Sequence, residues 1–200
     1  MKTSPTKTVK AYKLFRLKDG KLFPLYVNSR KEVPVGIWID AEEGEMKDGK
    51  VKSLLGPLAY RPGWHAGDSP VATHIGTKYN ADTDTIDTAL SKPTVRPDTQ
   101  VWVEVLFPDD FDWQSVANSR AGTTKTGKVK CVEAHITDQI PVSGHYRYKT
   151  NNNMTGEWLI GGSMKVVKVL SRKEVTDINR SQGIYDLPTI SELKVLQEGL

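Results

Sequence analysis

Apolar and polar positions change over in short runs along most of the chain, and few runs hold one period for more than about eight residues, the length of a strand. Residues 12–18 and 21–27 are rich in aromatic and branched side chains and flank Asp19-Gly20. Asp-Gly suits a two-residue type I′ turn, whose central residues both need positive φ, so the spacing predicts a hairpin. That register sets Leu17 against Leu22, Arg16 against Phe23 and Leu14 against Leu25. Apolar side chains then fall on both faces, as expected of a ribbon buried inside a fold. Pro24 lacks an amide donor and predicts an edge or a break in pairing. Residues 35–41 read as a second strand. An acidic loop over 42–50 follows, with Asp48-Gly49 as a further turn signal.

Residues 101–107 (VWVEVLF) are the clearest strand. Residues 129–136, 145–149, 158–160 and 164–170 are further strand candidates, the last two separated by Gly161-Gly162. Polar stretches over 80–100 and 117–128 predict exposed loops, and Asn151, Asn152 and Asn153 predict a turn. Residues 55–80 carry Pro57, Pro62, Gly63, Gly67 and Pro70, too many breakers for a long element. After Pro70, Val71, Ala72 and Ile75 predict about two turns of helix, with Asp68 or Ser69 as its cap. Near the C-terminus the pattern turns helical. Ser171 with Glu174, and Thr189 with Glu192, each have capping-box spacing. Val175 and Ile178 mark one helical face ended by Gly183; Ile190, Leu193 and Leu196 mark another ended by Gly199. The expected fold is α+β: a bent or split antiparallel sheet of short strands with two C-terminal helices. Residues 11–200 are expected to form a single domain, preceded by a flexible basic arm over 1–10.

Composition narrows the class. The chain has 200 residues, 38% apolar and 26% charged, in the range of a globular protein. Its apolar runs reach about five residues, against ~20 for a bilayer-spanning helix, so no membrane association is expected. No apolar segment follows the basic start, so no secretory signal is expected either. The net charge of +4 is uneven. Residues 1–31 sum to +8 and the remainder to −4. Such a segment suits an acidic partner, a protein or a nucleic acid; a solvated terminus is the plainer reading.

Several chemistries are disfavoured. His65, His74, His135 and His145 show no metal-ligand spacing. Cys131, Glu133 and His135 would share one strand face at ~7 Å steps, the wrong geometry for a proton relay. No GxxxxGK[ST], GxGxxG or GxSxG motif is present. Asp109, Asp110 and Asp112 read as a solvated turn.

Two segments are dense in functional side chains. The first is Tyr60-Arg61-Pro62-Gly63-Trp64-His65-Ala66-Gly67-Asp68-Ser69-Pro70, with two aromatics, a cation, an imidazole and capping groups on a loop shaped by glycine and proline. The second is TGEWLIGGSMKVVKVLS, in which Glu157 precedes a short strand, a Gly-Gly turn and a valine-rich strand. This second segment resembles the last motif of the ADP-ribosyltransferases, in which a loop delivers a glutamate to a strand. In that family the glutamate binds the nicotinamide ribose, an early strand ends in an NAD-holding Arg or His, and a middle motif carries Ser or Tyr. The resemblance implies NAD as cofactor, with Glu157 and Arg16 (from Leu14-Phe15-Arg16) as catalytic residues. Tyr60, Arg61, Trp64, His65 and Ser69 would then form the pocket wall. The phrases LFRLKDGKLFPLYV, LAYRPGWHAGDSP and GEWLIGGSMKVVKVLS also resemble small phage or mobile-element proteins of gut bacteria, which implies a location in the bacterial cytoplasm or the virion. The expected function is therefore an NAD-binding ADP-ribosyltransferase-like protein, intact or degenerate. The alternative is a non-enzymatic phage-associated module that contacts protein or nucleic acid. The oligomeric state is left open.

Overall fold

A computed structural model describes residues 4–60, 62–80, 82–87, 92–119, 142–149 and 155–198. The hairpin forms as its turn chemistry dictates. β1 (Thr8–Lys18) and β2 (Lys21–Phe23) pair with Leu17 opposite Leu22 and Arg16 opposite Phe23. Asp19 (φ 51°) and Gly20 (φ 74°) supply the two positive φ angles. β2 ends at Phe23, just before the donor-free Pro24, so Leu25 does not extend the ladder to Leu14. Residues 6–10, expected within a flexible arm over 1–10, are instead held by the fold. Thr8, Val9 and Lys10 belong to β1, and the amides of Thr6 and Lys7 donate to the Asp110 carboxylate.

β3 (Trp38–Asp40) is a shortened form of the strand expected at 35–41. β4 (Met46–Lys47), β5 (Lys50–Val51) and β6 (Leu58–Ala59) make a separate small sheet, in which Asp48 and Gly49 turn at positive φ. β7 (Trp64–Gly67) occupies the breaker-rich segment, where no strand was expected. β8 (Lys78–Asn80) and β9 (Thr85–Asp87) form a hairpin that spans the start of the loop expected over 80–100. The helix expected over 71–75 is absent. The Arg96 guanidinium takes the carbonyls of Ala72 and Ile75, and the Asp186 carboxylate takes the amide of Ala72, so tertiary partners claim the groups a helix would use.

β10 (Gln100–Pro108) is the longest partner of β1, and β11 (Phe111–Asp112) follows it after two residues. Then come α1 (Trp113–Ser119), β12 (Gly144–Tyr148), β13 (Trp158–Gly161) and β14 (Ser163–Val169). The chain closes with α2 (Arg172–Arg180) and α3 (Ile190–Glu198). The expected strand over 129–136, with Cys131 and His135, and the turn at 151–153 lie outside the described residues.

The main sheet runs β11-β12-β13-β7-β1-β10-β14-β3, with β2 added beside β1. It is mixed rather than purely antiparallel, because β11 pairs in parallel with β12. The reason is connectivity. β11 continues β10, so the first strand of the path is an extension of the sixth, and the sheet curls back on itself. A register shift between Glu104 and Val105 of β10 adds to the bend. On one face Ala11, Phe15, Ala66, Val103, Phe107, Leu159 and Met164 form the largest apolar cluster. On the other, α2 packs Val175 and Ile178 onto Tyr12, Leu14 and Trp102, while α1 packs Trp113 and Ala117 against Tyr146 and Ile160. β1 is thus buried on both sides, as its sequence predicts. α3 departs from expectation: none of its residues is buried, and Leu196 is exposed despite its place in the predicted stripe.

Candidate functional site

Leu14–Arg16, Trp64–Gly67 and Trp158–Gly161, parts of the segments singled out in the sequence, lie on three consecutive strands at the middle of the sheet, β1, β7 and β13, while β14 of the last segment lies beyond β10. Tyr12, Gly67 and Trp158 form one row across them. Beyond that row the chain around Glu157 is fixed to the turn after β7 by two bonds. The Asp68 amide donates to the Glu157 carbonyl at 3.1 Å, and the Glu157 amide donates to Asp68 Oδ2 at 2.9 Å. Gly156 (φ 77°) lets the chain make this approach, since a Cβ there would collide with the Asp68 carboxylate.

Strand alternation puts the Glu157 side chain on the face of Leu159 and Ala66. It lies beside Arg147 of β12, with Arg147 Nη1 3.5 Å from Glu157 Oε2. Both side chains are about one-third exposed, 34% and 37%, so the carboxylate is reachable. On the opposite face Trp158 meets His74 edge-on, with centroids 5.6 Å apart. Burial, and then Arg96, push the His74 imidazole below its ordinary pKa, so it is neutral near pH 7.

The other expected residues divide. Trp64 shares the face of Ala66 and donates its indole N–H to the Ile39 carbonyl at 3.1 Å. His65 points to the opposite face, opposite Ile160. Ser69 is buried and donates to Gln182 Oε1 at 2.8 Å, which ties the turn after β7 to the end of α2. These three neighbour the Glu157 strand. Tyr60 lies beside the small sheet, where its hydroxyl donates to Glu43; that bond pushes its pKa up to about 12. Arg61 is outside the described residues. Arg16 is on β1 but at the wrong end. It lies four residues from the Tyr12 row toward Trp64, while Glu157 lies one residue the other way. Five residue rises make ~16 Å along the strands, and two strand spacings add ~10 Å across them. Arg16 instead donates to the Ser29 carbonyl at 2.7 Å and sits over the Phe23 ring, inside the β1–β2 hairpin.

Sequence reasoning missed Lys13. β1 and β7 share a single ladder pair, Tyr12 with Gly67. Next to it Lys13 Nζ donates to the His65 carbonyl at 2.6 Å and lies 5.6 Å from the Trp64 ring centroid. Burial drives its pKa down to about 8. Its signal was present: Lys13 sits between Ala11 and Phe15 at an inward phase of the strand. Arg147 was missed too, because its significance comes from the pairing of β12 with β13.

The basic N-terminal stretch is largely engaged within the molecule. Lys10 pairs with Glu104 at 3.4 Å, Lys21 with Glu32 at 2.7 Å, and Lys31 with Glu42. Phosphates would have to compete with these carboxylates. Among the described residues no cluster of His, Cys, Asp and Glu has the make-up of a metal site, and no helix is long and apolar enough to cross a membrane. Compared with protein-family models, with curated proteins and with solved structures, the chain has no significant match.

Proposed function

We propose that the protein is an NAD-binding ADP-ribosyltransferase-like protein centred on Glu157. The observation that carries this reading is the adjacency of β1, β7 and β13. Three segments far apart in sequence, in the order the family resemblance implies, are neighbours in the sheet, and Asp68 holds the Glu157 backbone in place. A half-buried carboxylate with a fixed backbone and an exposed edge suits a ribose diol, whose hydroxyls donate to it. Arg147, 3.5 Å away, is the cation for the pyrophosphate, a role Arg16 is too distant to fill. When NAD binds it supplies a glycosidic bond to a good leaving group. The protein's part is to orient the ribose and to stabilise positive charge at its anomeric carbon, and one positioned carboxylate meets that need.

The test is calorimetric titration with NAD, together with chromatographic assay of released nicotinamide. Glu157→Gln should cut nicotinamide release roughly 10²-fold, the scale of removing one electrostatic group from a reacting centre, with unchanged melting temperature. Arg147→Ala should weaken NAD binding roughly ten-fold, as loss of a charge-assisted contact does. No heat of NAD binding together with no nicotinamide release, or full turnover by Glu157→Gln, would overturn the reading.

A further inference from the structure

Where the sheet curls back on itself, a cavity of about 290 Å³ opens between the start of β1, β11, α1 and β12. Val9, Asp109, Phe111, Trp113, His145 and Arg147 contribute to its wall. Phe111 and Trp113 form a tilted aromatic pair with centroids 5.1 Å apart, and Phe111 keeps half of its surface exposed. An exposed phenyl beside an indole offers a face on which a flat ring can stack.

The polar groups are of both kinds. His145 Nδ1 lies 3.1 Å from the Pro108 carbonyl, which can only accept, so Nδ1 carries the proton and Nε2 is an acceptor. Burial outweighs the pull of Pro108 and Asp109 and lowers the pKa of this imidazole, keeping it neutral. Asp109 is the second acceptor; its carboxylate is half exposed and lies 3.5 Å from the Nδ1 of that same neutral imidazole. Arg147 is a donor. The indole N–H of Trp113 is itself buried, without an acceptor among the described residues, so Trp113 offers the cavity its ring and not a donor. The remaining wall residues are already engaged: Asp112 accepts from the Ser115 amide, and Gln114 bonds the Arg147 backbone.

One donor and two acceptors around an aromatic wall favour a neutral ligand that presents both kinds of group. A carboxylate ligand would face Asp109, and a simple cation would face Arg147. The volume is at the lower end of small-molecule sites, ~300 Å³, room for one ring and at most a sugar rather than a dinucleotide. We propose that this cavity binds, as a free small molecule, a planar heterocycle with an amide-type edge, either a pyridine carboxamide or a nucleobase. The proposal shares Arg147 with the NAD reading but needs no turnover at Glu157.

Indole ¹H–¹⁵N resonances test it. The chain has five tryptophans, and Trp113→Phe identifies the Trp113 signal. Nicotinamide and adenosine are titrated separately, which distinguishes the two sources of the amide edge. Saturable movement of the Trp113 resonance by either is the expected result. Asp109→Asn and Phe111→Ala should each weaken that binding about five-fold, as loss of one hydrogen bond or one stacking face does, with the other indole signals unmoved. The readout is the Trp113 resonance and not nicotinamide release, so failure of the NAD reading would not erase this signal. A Trp113 resonance that neither probe moves at ~20 mM, far above the Kd of a useful site, overturns the proposal. So does movement that Asp109→Asn and Phe111→Ala both leave intact, or movement by a single-stranded oligonucleotide alone.

Discussion

Lys13 shows how one residue can disturb a strand that otherwise reads as core. Its neighbours on the same face, Ala11 and Phe15, are fully buried, and its ammonium has a carbonyl and two aromatic rings as company. A carbonyl stabilises a charge less than a carboxylate does, so desolvation dominates and the pKa falls to about 8. The consequence for stability has a definite sign. Between pH 8 and the unfolded value of 10.5 the unfolded chain binds more protons than the folded one. Stability therefore rises with pH across that window, by up to about 3 kcal/mol. Urea unfolding from pH 7 to 10.5 should show the wild type gaining on Lys13→Met over this range, with Lys13→Met the more stable at pH 7. A constant difference would show that the amine is well solvated in the fold. Arg16, three residues on, bonds the Ser29 carbonyl instead and sits over Phe23. Two cations of one strand thus have different fates because one faces the sheet's main core and the other a hairpin.

At the scale of elements, local chemistry was the legible part. Ser171 and Glu174 form both bonds of the predicted capping box, and Lys168 adds an ion pair to the same carboxylate. Lys168 first, then Ser171, hold Glu174 down to about pKa 2. Its contribution is present above the unfolded value of 4.5 and is lost as pH falls toward 2. Acid titration of stability should therefore be steeper in the wild type than in Glu174→Gln over that window. Ser171→Ala should cost ~1 kcal/mol at pH 7, read from urea unfolding. The hairpin, the second capping box and the β13–β14 break were legible for the same reason: each is decided by residues within a few positions. β7 was not. Its four residues sit among prolines and glycines, and pairing with β13 on one side makes them a strand. The helix expected over 71–75 failed in the mirror sense, since distant groups claimed its carbonyls. For the candidate site, Glu157 and the Trp64–Ser69 segment, expected to be neighbours, lie on adjacent strands. Arg16, expected with them, lies far along β1, and Arg147 stands beside Glu157 instead, because which cation is near depends on register across several strands.

Over the whole molecule, a buried ion pair joins the C-terminal segment after α2 to the rest of the fold, beside the backbone bonds of Arg96 with Pro188 and Ile190. Arg96 is fully buried and donates Nη2 to Asp186 Oδ1 at 2.6 Å and Nε to Oδ2 at 3.1 Å. Asp186 also accepts from the Trp102 indole at 2.6 Å and from the Ala72 amide at 3.1 Å. One carboxylate thus gathers β10, the loop carrying His74 and the segment that leads to α3. A pair this well bonded is not in itself a large source of stability, because desolvating both charges offsets most of their attraction. Removing one partner is different, since it leaves a charge buried without compensation. Asp186→Leu should therefore destabilise by about 3–5 kcal/mol. The double variant Arg96→Met/Asp186→Leu should recover most of that loss, because no uncompensated charge remains. The loop is a separate matter. Without Arg96 the Ile75 carbonyl loses its donor and the Ala72 carbonyl keeps only the Ile75 amide, so the double variant should still free His74 from the Trp158 ring. Chemical unfolding gives the first quantity and the His74 proton shifts, displaced by the ring current of Trp158, give the second. Equal stability of the single and double variants would mean that the network acts through its hydrogen bonds and not through charge balance. An unmoved His74 would mean that Trp158 alone is enough to hold that loop beside Glu157.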